Sequence, residues 1–240
     1  MFLTLLRKDW RLAKPAFFLM IVLYFTPAFV GIAVAFYARA FEHQAPLLHY
    51  TADNHADVIG LLTAGFFLTI LAAPAVAATQ FGRERRDRSN EFLGALAITR
   101  RAVVFSKSLI TAVLISLPIL VTLLGDLSIA LVEDSLTGGY SFGFSLIGLA
   151  SALIVGVAGL AWILSCIAFS EVFASAIALA FSTACILTIY FAFESVGALR
   201  AIPASTREAT MVWTVIAFFT FFAVAGFLSG TLIAFYRRAL

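Results

Sequence analysis

Six long apolar stretches alternate with short segments that hold nearly all the charge. Residues 15–38 contain no Asp, Glu, Lys or Arg, and neither do residues 58–82. The stretch 108–132 is broken only by Asp126. After Glu133 and Asp134 the chain is uncharged as far as Ser170, and it begins this run with the turn-like Thr137-Gly138-Gly139-Tyr140-Ser141. Two further runs cover 172–193 and 209–236. A helix needs about 20 residues, at ~1.5 Å each, to cross a hydrocarbon core of ~30 Å. The pattern therefore predicts six spans: Pro15–Ala38, Val58–Gly82, Ser108–Val132, Phe142–Phe169, Val172–Phe193 and Ala209–Tyr236. The expected fold class is an all-α polytopic membrane protein, with residues 1–240 forming one transmembrane domain.

Composition removes the soluble alternative. The chain of 240 residues is 62% hydrophobic and 12% charged, against roughly 45–50% and about 25% in soluble domains. A mean hydropathy of +1.04 agrees, and bilayer lipid is the expected solvent. The formal net charge of +3 leaves no broad basic face for nucleic acid. Cys166 and Cys185 lie in apolar runs without a CxxC spacing and read as packing residues.

Charge placement gives an orientation. With six spans both termini share a side. That side holds thirteen basic residues: Arg7, Lys8, Arg11, Lys14, Arg83, Arg85, Arg86, Arg88, Arg100, Arg101, Lys107, Arg237 and Arg238. The other side holds Arg39, Arg200 and Arg207. Under the positive-inside rule both termini are cytoplasmic, expected here at a bacterial plasma (inner) membrane. Ala38-Arg39-Ala40 has the small-x-small form of a signal cleavage site, but the apolar run before it is longer than the about 7–15 residues of a signal core, so the first span is expected to be retained.

Two cytoplasmic segments are more than connectors. In residues 1–14, Phe2, Leu3, Leu5, Leu6, Trp10, Leu12 and Ala13 gather on one side of a helix, and Arg7, Lys8, Arg11 and Lys14 gather on the other. Asp9 is the exception. Such a helix lies in the headgroup layer, either as a plain anchor or as an elbow that leans on a cytoplasmic partner. The segment 82–107 is dense in both charge signs and then places Phe92, Leu93 and Leu96 on one helical face, with Thr99 ready to cap a helix that starts at Arg100. A docking element and a solvated basic loop both fit this chemistry.

The same segment resembles the cytoplasmic coupling loop of ABC-2-type transporter permeases, roughly E-R-E-x-G-T-L-E-x-L-L-x-L-P-I-S-R followed by a Lys. Glu84-Arg85, Asp87, Ser89, Glu91, Phe92-Leu93, Leu96, Ile98-Thr99-Arg100 and Lys107 match it. Arg88, Gly94 and Ala97 depart from it by replacing a Gly, a Leu and the Pro. The likeness covers about a tenth of the chain and lies between the second and third of six predicted spans. It implies an amphipathic N-terminal elbow helix, a permease subunit of an exporter, a second permease chain, the same or homologous, and a separate cytoplasmic ATPase that carries the ATP and Mg. It assigns ATPase coupling to Glu84, Arg85, Glu91, Phe92, Leu93, Leu96, Thr99, Arg100 and Arg101, and implies that closure of the ATPase tilts spans one, two and five. By the same likeness, the outer segment 194–208 folds back into the membrane as a re-entrant element. The chain itself has no GxxxxGK[ST] and no Gly-Lys pair, so no catalytic residue and no cofactor are expected on it.

Other candidates carry competing readings. Asp126 is expected either to line the translocation path or to sit protonated or paired near the outer interface. Gly148, Ala152 and Gly156, with Gly226 and Gly230, are expected to pack helices within one subunit. Pro27, Pro74 and Pro118 are expected to kink their spans. His43, His49 and His55 have no recognisable ligand spacing, so coincidence in a polar loop outweighs a Zn or Cu site. Two other classes stand against the permease: an assembly or regulatory subunit of a larger membrane complex, and an intramembrane enzyme. The latter lacks a GxSG, an HExxH and any histidine within a predicted span.

Overall fold

The computed structural model describes residues 2–41, 54–86, 99–133, 140–167, 170–200 and 204–236. These form six helices: α1 (Phe2–Phe41), α2 (Asn54–Arg86), α3 (Arg100–Glu133), α4 (Tyr140–Ile167), α5 (Glu171–Arg200) and α6 (Ala204–Tyr236). All six are long and apolar enough to cross a membrane. Helix is the expected answer for such segments, because lipid offers no partner for backbone N–H and C=O groups. At 28 to 40 residues each, they exceed the about 20 that a hydrocarbon core requires.

Two sequence boundaries change. The described part of the expected elbow, from Phe2 onward, runs into the first span as one helix with Pro15 inside it. The reason lies in packing. Leu5, Asp9, Ala13, Ala16, Met20 and Tyr24 are all buried, so one inward stripe runs straight through Pro15, and the loss of one backbone hydrogen bond there does not break it. Trp10 and Leu3 point outward instead, at 39% and 78% exposure. The expected outer loop 194–208 is also largely helical. Residues 194–200 finish α5 and 204–208 begin α6, where Arg207 donates to Glu194 at 3.4 Å.

α2 and α4 form the interior of the bundle. In their most apolar windows 56% and 61% of the residues are buried, against 17% for α5 and 22% for α1 and α6. Contact between α4 and α6 is the most extensive, followed by α1 with α2 and α2 with α4. Glycine makes the first of these possible. A Cβ on Gly226 would meet the Gly159 carbonyl oxygen at 2.5 Å, so the two backbones touch. Small residues allow this approach, which supplies dispersion contacts where lipid provides no hydrophobic drive between helices. The expectation of packing within one chain holds for Gly156, Gly226 and Gly230, with Gly159 added one turn along. Trp162, fully buried on α4, sits edge-on to Phe81 of α2 at 4.9 Å and tilted against Phe227 of α6 at 5.7 Å.

Candidate functional site

One end of the bundle collects the start of α1, the end of α2, the start of α3 and the end of α6. Phe2 and Phe105 lie 5.9 Å apart, ring centre to ring centre, and the Arg101 guanidinium lies 6.0 Å from the centre of the Phe235 ring. At this end α1, α2 and α3 enclose a polar cluster. Lys107 is fully buried and Asp9 is 1% exposed. The Lys107 ammonium donates to Asp9 Oδ1 at 3.2 Å and to the backbone carbonyl of Gln80 at 2.6 Å. It also lies 5.3 Å from the centre of the Phe81 ring. The Ser106 hydroxyl donates to the second carboxylate oxygen of Asp9. A charge out of water must be paired and hydrogen-bonded, and here both ions are.

The Gln80 side chain differs. It is fully buried on α2, and among the described residues neither its amide nitrogen nor its amide oxygen has a hydrogen-bond partner.

Of the residues expected to couple to an ATPase, those described lie at the helix ends beside this cluster. Glu84 and Arg85 lie in the last turn of α2, and Arg100 is the first residue of α3. Thr99 caps α3: its carbonyl accepts from Ala102 N at 3.0 Å and Val103 N at 3.3 Å, with its hydroxyl 3.4 Å from Ala102 N. Arg101 is exposed. Glu91, Phe92, Leu93 and Leu96 lie outside the described residues, as do His43 and His49. Asp126 is placed on α3, with only its backbone described. Among the described residues no three potential metal ligands come together.

Protein-family models, curated proteins and solved structures were compared with the chain. None matches it.

The polar cluster was the feature that sequence reasoning missed, although one signal was present. Asp9 broke the amphipathic pattern by lying on the apolar side of the N-terminal helix. A carboxylate in that position needs a buried cation, and Lys107 supplies it. The hydroxyls along α5 and α6 tell less. Thr183, Thr188, Thr210 and Thr214 each donate to a carbonyl one turn back on their own helix, which satisfies them without a partner helix or a cargo.

Proposed function

We propose that this chain is the membrane-spanning permease subunit of an ABC-2-type transporter, working as an exporter with both termini in the cytoplasm of a bacterial cell. The observation that carries the reading is the gathering, at one end of a six-helix bundle, of the helix ends that flank the charged segment between α2 and α3. A force applied to that segment would reach α1 and α2 directly, because Lys107 is bonded to both. The excess of basic residues on the same side supports a cytoplasmic location for it.

In this reading the ATP and Mg belong to a partner ATPase, and Glu84–Arg101 lies against that partner. Closure of the nucleotide sandwich moves the segment and, through it, shifts the bundle between packed states. A second permease chain completes the path. Asp126 is a lining candidate within that path.

Two experiments test this. Combined reversal, Glu91→Arg with Arg100→Glu, is expected to abolish co-purification of an ATPase encoded in the neighbouring reading frame. Retained co-purification and transport would remove the docking claim. Asp126→Asn is expected to slow transport at least several-fold, and an unchanged rate leaves Asp126 out of the path.

A further inference from the structure

A second polar tie joins α1 to α3, far from the first. The hydroxyls of Tyr24 and Thr122 lie 3.1 Å apart. Thr122 spends its one proton on the Pro118 carbonyl at 2.9 Å, so Tyr24 is the donor. Asp9 and Lys107 are 98 residues apart in sequence, and so are Tyr24 and Thr122. Each helix thus advances by the same fifteen residues between its two ties. At ~1.5 Å per residue, two parallel helices hold one register over about 22 Å.

The surface between and around the ties cannot set that register alone. It includes an apolar groove of about 140 Å³ lined by Phe17, Met20, Tyr24, Leu117, Pro118 and Val121. Apolar side chains against a loosely filled groove accept small slips, and lipid adds no hydrophobic preference for one alignment. Polar groups inside an apolar contact do discriminate, because a slip leaves them buried without partners.

We propose that the Asp9–Lys107 ion pair and the Tyr24–Thr122 hydrogen bond are two register pins that make α1 and α3 one parallel unit. The start of α1 and the chain leaving the charged segment then move together. The pins fix alignment rather than add stability. This holds for the chain by itself, whether or not an ATPase drives it.

The test uses the full-length protein in nanodiscs and a short bifunctional thiol reagent, with linked peptides quantified by mass spectrometry. At the charged end, F2C/F105C is compared with F2C/L109C. At the other end, F25C/V121C is compared with F25C/L117C. Removing the first pin without stranding a charge, as D9L/K107M, is expected to change the first ratio at least threefold while the unfolding midpoint stays near that of the parent. Removing the second by near-isosteric changes, as Y24F/T122V, is expected to change the second ratio at least twofold. Unchanged ratios in the variants overturn the proposal. So does a D9L/K107M protein that fails to fold, because the pair would then be a source of stability. The Y24F/T122V arm tests the second pin in either case.

Discussion

At Gln80 the side chain's chemistry and its surroundings disagree. Its amide is sealed in the bundle with both polar atoms unpartnered among the described residues, and each such group costs about 1–3 kcal/mol. Gln80→Met keeps the shape and removes both groups, so it is expected to raise the thermal unfolding midpoint in detergent. The opposite sign is expected for Gly226→Val. Its side chain would enter space held by the Gly159 backbone, where overpacking costs about 1–3 kcal/mol. The same thermal assay reads both. The sequence pointed to glycine-mediated packing through the spacing of Gly148, Ala152 and Gly156, yet Gly148 has only ordinary contact space around it. Spacing identifies a small-residue face and leaves open where along that face the partner crosses.

At the scale of elements, Thr99 tests the entry to α3. Thr99→Ala removes the side-chain part of the cap, a loss of about 1 kcal/mol, and is expected to speed hydrogen exchange at the Ala102 and Val103 amides. All six spans were legible, because absence of charge over twenty or more residues is a strong and local signal. Their ends were less so. The basic face of residues 1–14 read as a surface helix of its own, and nothing in the local sequence showed that Leu5, Asp9 and Ala13 would continue the buried stripe of Ala16 and Met20. Continuity came from tertiary packing on α2 and α3. The polar cluster was half legible for the same reason: Asp9 stood out as misplaced, but its partner lies 98 residues away.

Burial divides the described helices into an inner pair, α2 and α4, an intermediate α3 and an outer three. α5 presents Val172, Phe173, Phe181, Leu187 and Phe191 outward, each at least 45% exposed, a face that is stable in lipid and insoluble in water. The proposed function has charge asymmetry set the orientation, with both termini cytoplasmic, and this can be checked directly. An alkaline phosphatase fused after Leu240 is expected to be inactive and one inserted at 45–48 active, and the reverse result would invert the bundle. The matched offset of the two α1–α3 ties has a further consequence for which changes the chain tolerates. Between Lys107 and Thr122 the buried Ile110, Leu114 and Ile115 limit which side chains fit, and the ties limit how many residues there can be. Deleting a single residue there would turn one tie about 100° away from its partner while leaving the other in place, so length variation is expected to be tolerated in the loops and excluded from this stretch.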